Sequence, residues 1–299
     1  MFPSLEQASI GYPITVNGVS LFPVYIHQRA PRIVTGNASG VTITEQADAH
    51  VPTLDVHNPG DSPVLLVEGE TVTGGRQNRV INVSILVPAG STLSIPVSCI
   101  EQGRWNAGHT FGRGRVFTTP EVRRRKLTGV AENVRRSGSK HSDQGAVWSA
   151  VHAELNRLHV QHETSAFTAV DAVFARDRVL AEATDRLVGK GPLPGQCGVV
   201  VAHGSRIVAA DVFAAPDMLA CHWEAIVRSA VLDSPTEASG TPSATRALRF
   251  LRKFVEGEAR ITPGVGLGRE HHVSARKLVG QALVLDDVLV HASAFAEAA

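Results

Sequence analysis

Cysteine is scarce in this chain, with three in 299 residues, at positions 99, 197 and 221, and no Cys-x-x-Cys pair. An odd number of widely spaced cysteines suggests neither a disulfide framework nor a zinc ribbon, so reduced thiols are expected. An excess of one charge is also lacking: 29 basic residues stand against 28 acidic ones, a net +1 that argues against bulk nucleic-acid binding. No window approaches the roughly 18 apolar residues of a membrane span. The start, MFPSLEQASIGYPITV, has neither a basic stretch nor a continuous apolar one, and a cytoplasmic protein without membrane contact is the expectation. A Walker loop, a Gly-x-Ser-x-Gly elbow and a His-Glu-x-x-His pair are all missing. PGVGLG, 263–268, has the wrong glycine spacing for a dinucleotide fingerprint and follows a helical pattern instead of opening one, so it reads as a bend.

What remains is an ordinary globular composition, 43% hydrophobic and 19% charged, with mean hydropathy +0.02. Up to about residue 115, short apolar runs such as VSLFPVYI, RVINVSILV and TLSIPVSCI alternate with Pro, Gly, Asn and Asp, which is a β pattern. From Thr119, with Pro120 suited to a first helical position, the pattern is helical to about Val188, interrupted at SGSKHSD. GKGPLPGQ, 189–196, reads as a linker. GVVVAHGSRIVAADVF then reads as a hairpin turning at Gly204-Ser205, helices are expected over 216–231 and 242–256, and a last hairpin is expected to turn at Asp286-Asp287. The fold class is α+β, with a β-rich unit over 1–115, a helical connecting segment over 116–190 and an α+β unit over 191–299, which can pack as one domain.

The densest polar signal is TGGRQNRVINV, 73–83, where two glycines and a polar run precede an apolar strand. Ile81, Val83, Ile85 and Val87 share one face, and Leu93, Ile95, Val97 and Cys99 share one in the next run. A symmetric hairpin about Pro88–Thr92 would set Ile81 against Cys99 and Arg79 against Glu101, ending an apolar face in a charge pair. Gln77, Asn78, Arg104 and Trp105 fall at the same end. In this reading Glu101 is the candidate general base or ribose-holding group, and Arg79, Arg104 or Arg76 would meet phosphate. Trp105 would stack on a base, Gln77 and Asn78 would orient the ligand, and Gly74 and Gly75 would let backbone N–H groups approach it. Cys99 is either a nucleophile activated by a neighbouring arginine or an inert buried thiol. The alternative is that Arg79 and Glu101 merely close the sheet end, as part of a non-catalytic sensor or scaffold.

Other clusters are weaker. Nine Lys or Arg residues between 113 and 140 face only Glu121 and Glu132, but without the aromatic interleaving of a nucleic-acid platform, so a solvated helix face is the simpler reading. Glu270, His271 and His291 are the nearest approach to metal-ligand spacing, and a satisfied core histidine explains them as well; no metal or other cofactor is assigned. Trp223 is expected in the core and Asp211 as a cap or turn residue.

GGRQNRV, CIEQGRW, QGAVW, the GVVVAHGSRIVAADVF hairpin and VHASAF together resemble the family named for its association with ADP-ribosylglycohydrolases and rhodanese-phosphatases, over roughly residues 10 to 295. The resemblance implies a place in handling NAD-derived or ADP-ribosylated molecules, and hence a nucleotide-like small-molecule partner, with self-association left open. Its motif positions fall on Gly74, Gly75, Gln77, Asn78, Arg79, Cys99, Glu101, Arg104 and Trp105. HGSR departs from the Asn-Gly-like turn expected there, so no role carries over to His203.

Overall fold

The computed structural model describes residues 2–48, 51–105, 108–235 and 238–297. Among these residues the chain forms seven α-helices and 18 strands in a mixed α+β architecture whose N-terminal half is β-rich. Six strands close into a barrel in the order 91–99, 53–58, 42–44, 110–113, 71–74 and 79–81. A small sheet of 85–87, 64–66 and 34–35 lies apart from the barrel's hydrogen-bond circuit. A nine-stranded sheet runs 9–10, 19–25, 198–203, 206–213, 288–296, 278–285, 269–275 and 258–263, with 14–16 paired to 19–25.

Alternation along the large sheet separates two apolar layers. Leu21, Val199, Val201, Ala209 and Phe213 pack with the helix Pro216–Leu232, while Phe22, Val24, Val200, Ala210 and Val212 pack with the helix Ala244–Val255. Both hairpins turn where the sequence indicates: His203 pairs with Arg206 and Leu285 with Val288. Gly204 has φ +54°, and Asp286 and Asp287 have φ +48° and +62°, the left-handed conformations such two-residue turns require. The helix Pro120–Ser137 starts on Pro120 and ends at Gly138, which has φ +76° and donates its N–H to Val134 O. Asp143 caps the next helix, Gln144–Arg157, by accepting from Ala146 N.

The symmetric hairpin over 79–101 does not form. Ile81 pairs with Val97 and Arg79 with Cys99, a register two residues away from the expected one, and Ile85–Val87 leaves for Val64–Leu66 in the small sheet. The cause is a buried polar knot at residues 82–84. The ammonium of Lys126 takes the Ile81 and Asn82 carbonyls at 2.8 and 2.7 Å, and Ser84 Oγ lies 2.8 Å from both His291 Nδ1 and Gln281 Nε2. With these groups committed elsewhere, the strand cannot run straight through.

Asp211 is not a cap or turn residue. It lies within the strand Arg206–Phe213, where its carboxylate accepts from Arg123 Nη1 at 2.9 Å and Nη2 at 2.6 Å. Arg123 also binds Glu68, and Glu68 receives Lys126 Nζ at 2.9 Å and Ser293 Oγ at 2.8 Å. All four charged side chains are at most 1% exposed. Two cations matched to two anions, with carbonyl and hydroxyl partners filling the remaining positions, is the condition under which buried charge is tolerated.

Candidate functional site

Antiparallel order brings the ends of 42–44, 71–74 and 91–99 together with the starts of 53–58, 79–81 and 110–113 at one end of the barrel. The interior row holding Ile81, Val97 and Ile43 therefore continues at that end into Arg79, Cys99 and Glu45. Arg79 and Glu45 have no exposed side-chain surface, and Cys99 is 0% exposed. Arg79 Nη1 donates to Gln77 Oε1 at 3.2 Å and Cys99 Sγ donates to the same oxygen at 3.3 Å, so Gln77 is the hinge of the group.

Arg79's carboxylate partner is Glu45, 3.9 Å away, and not Glu101. The nearest approach is longer than a hydrogen bond, and Arg79 Nε, Arg79 Nη2 and Glu45 Oε2 are all buried without a hydrogen-bond partner among the described residues. Burial pulls the guanidinium below its ordinary pKa, against the upward influence of Cys99 and Glu45. Buried polar atoms left unpaired on both an acid and a base are costly to a fold, and they mark a place where a group that both donates and accepts can be received.

Glu101 belongs to a second layer outside this one. Its Oε2 accepts from Arg104 Nη2 at 2.7 Å and from the Asn78 N–H at 3.0 Å, and its Oε1 accepts from Thr164 Oγ1 at 2.7 Å. Burial opposes ionisation, but these donors outweigh it and hold the carboxyl below its ordinary pKa. Such an acid is a fixed anion, poorly suited to accept a proton. Arg104 also clamps the glycine turn, donating to the Gly75 and Gly74 carbonyls at 2.9 and 3.1 Å.

The glycine N–H groups are not offered outward, contrary to the reading from sequence. Gly74 N donates to Asn78 Oδ1 and Gly75 N to Thr110 O. Glycine is needed here for other reasons: φ is +117° at Gly74 and +49° at Gly75, and a Cβ on Gly75 would lie 2.0 Å from Phe111 Cζ. Burial raises the Cys99 thiol above its ordinary pKa, with the Glu101 backbone and Arg79 acting the other way, an environment that favours the neutral thiol. Trp105 is 49% exposed at the outer edge, with the Arg76 guanidinium 5.2 Å from its ring centroid, and the Arg76 N–H donates to Glu45 Oε1 at 2.8 Å.

The motif residues are thus gathered in one place, sorted into an inner set of Arg79, Cys99 and Gln77, a clamp of Glu101, Arg104, Asn78, Gly74 and Gly75, and an exposed Trp105. Glu45 was missed from sequence. Its only signal is parity with Ile43 at the end of TIT, which aims an acid inward. Glu270, His271 and His291 do not converge: Glu270 faces Lys140 at 2.9 Å, while His291 stands 3.4 Å from Asp211. Among the described residues no three His, Cys, Asp or Glu side chains are arranged to hold a metal ion. Among the same residues no helix is long and apolar enough to cross a membrane.

The family model described as the ARG and Rhodanese-Phosphatase-superfamily-associated Protein domain matches residues 7–295. No match was found among curated proteins or solved structures.

Proposed function

We propose, for a chain that belongs to the ARG and Rhodanese-Phosphatase-superfamily-associated Protein domain family, that it binds a ribose-bearing phosphorylated molecule of the ADP-ribose type at the end of the barrel. The observation that carries this reading is the pair of unsatisfied buried groups, Arg79 Nη2 and Glu45 Oε2. A ribose hydroxyl donates to a carboxylate and accepts from a guanidinium at once, which neither a phosphate nor an apolar group can do. Arg76 and Trp105 at the outer edge suit a phosphate and a base, respectively, and entry displaces their stack. The link to ADP-ribose rests on the family description, in which ARG is read as ADP-ribosylglycohydrolase.

Binding is the better supported half of this reading. Hydrolysis needs a proton acceptor, and Glu45 Oε2 accepts from no donor where Glu101 already accepts from three. The second reading, a non-catalytic sensor or scaffold, is favoured by the inward use of every Glu101 oxygen and of both glycine N–H groups.

Thermal or urea stabilisation by ADP-ribose, NAD and ribose 5-phosphate separates the two. A ligand present at 100 times its dissociation constant adds about 2.7 kcal/mol of stability. Stabilisation by ribose-bearing ligands that is lost in Glu45→Gln supports the proposal. Its absence for all three leaves the scaffold reading.

A further inference from the structure

On the opposite side of the helix Pro120–Ser137 from Glu68, a cavity of about 670 Å³ opens between that helix, the helix Gln144–Arg157, the 203–206 hairpin turn and the end of Pro216–Leu232. Arg125, Arg157 and Arg206 line it, together with Glu121, Glu154, His203 and Asp233. None of these residues belongs to the motif cluster at the barrel end. The volume is ample for a ligand of nucleotide size.

The geometry of His203 and Asp233 fixes where protons sit. His203 Nε2 lies 2.9 Å from Ala230 O, a carbonyl that can only accept, so the neutral ring carries its proton on Nε2. Nδ1 then presents a lone pair towards Asp233 Oδ2, 4.0 Å away. An ionised Asp233 would face that lone pair, whereas a protonated Asp233 turns an O–H towards it. The other oxygen, Oδ1, accepts from the Glu121 N–H at 3.3 Å in either state.

The surroundings of Asp233 pull both ways: burial, Glu154 and the Glu121 charge raise its carboxyl, while Arg157 and the Glu121 N–H lower it, and the raising side prevails. From the helix Pro120–Ser137 it faces the Glu121 carboxylate and the Arg124 guanidinium, from Gln144–Arg157 it faces Glu154 and Arg157, and from the hairpin it faces His203, with Arg206 beyond. Burial first, and then the Glu154 charge, lift its carboxyl to about 7, while burial takes His203 down to about 4. Arg124 and Arg125 share Glu121 and Arg157 takes Glu154, so the wall is net positive while Asp233 is protonated and less so once it ionises.

We propose that this cavity binds a phosphate-bearing small molecule through Arg206 and Arg125, with Arg157 held by Glu154, and that binding favours the protonated form of Asp233. Arginine forks match phosphate oxygens, and an anion entering the cavity raises the cost of a second negative charge on Asp233. Affinity therefore falls as pH rises through neutrality. The site is separate from the barrel end, and its ligand needs no ribose.

The test uses trimetaphosphate, which has no ribose and whose acids are ionised throughout this range, titrated calorimetrically into the full chain at pH 6 and pH 8. Expected results are several-fold tighter binding at pH 6, retained binding with no pH difference in Asp233→Asn, and a loss of tenfold or more in Arg206→Ala, an exposed residue whose removal leaves the core intact. No binding at pH 6, unchanged affinity in Arg206→Ala, or the same pH dependence in a folded Asp233→Asn overturns the proposal. None of these outcomes bears on Glu45 and Arg79.

Discussion

Arg79 stands directly across the ladder from Cys99, inside the barrel, and leaves Glu101 to Arg104. That one relationship divides the motif chemistry of the two strands into an inner pair of unsatisfied groups, contributed by Arg79 and Glu45, and an outer clamp in which Glu101 holds three donors.

Glu101→Gln should act on stability through the clamp. Its carboxylate holds three donors at once, and hydrogen bonds to a charged group contribute about 1.5–3 kcal/mol. A loss of that size in urea unfolding is expected. The folded carboxyl is depressed in pKa, so this stabilisation is present at neutral pH and is lost as pH falls through the folded value. Unchanged stability in the variant would show that the clamp contributes nothing.

Arg123→Met should be the more severe change. It removes the cation shared by Glu68 and Asp211, leaving Glu68 to Lys126 and Asp211 to His291, and breaking a buried pair in this way costs about 3–5 kcal/mol. In the unaltered protein both acids are held below their ordinary values by Arg123 against the effect of burial, so their contribution is lost on acidification. Lys126 has a slope of the same sign, in a higher pH range. Burial lowers it from 10.5 to about 8, so the native state binds fewer protons between those values and stability from this group rises with pH there. Urea midpoints against pH for both proteins check each slope.

The thiols should separate by exposure. Cys221 is exposed, whereas Cys99 and Cys197 are buried; burial raises the pKa of all three, so access is what separates them. Brief maleimide labelling of the native protein followed by peptide mapping should find Cys221 modified and Cys99 untouched. Rapid labelling of Cys99 would restore it as a nucleophile.

Much of the fold was legible in sequence because local signals and global packing agree. Pro120, Gly138, Gly204 and the Asp286-Asp287 pair each mark a boundary that the structure respects. The 79–101 hairpin was not legible, because alternation continues through Val83 and Ile85 while the strand itself ends at Ile81. What ends it is Lys126, 45 residues away in sequence from the Ile81 carbonyl it binds, and no local pattern encodes that contact. The motif residues were found as a set, but which acid faces Arg79 depended on a strand, Thr42–Thr44, brought alongside only by closure of the barrel.

The most direct measurement is a crystal structure of the protein with ADP-ribose. The account predicts a ribose hydroxyl between Glu45 Oε2 and Arg79 Nη2, within hydrogen-bond distance of both, with Trp105 displaced from Arg76. A bound ligand lying elsewhere, with Glu45 and Arg79 still unpaired beneath an intact stack, would contradict it.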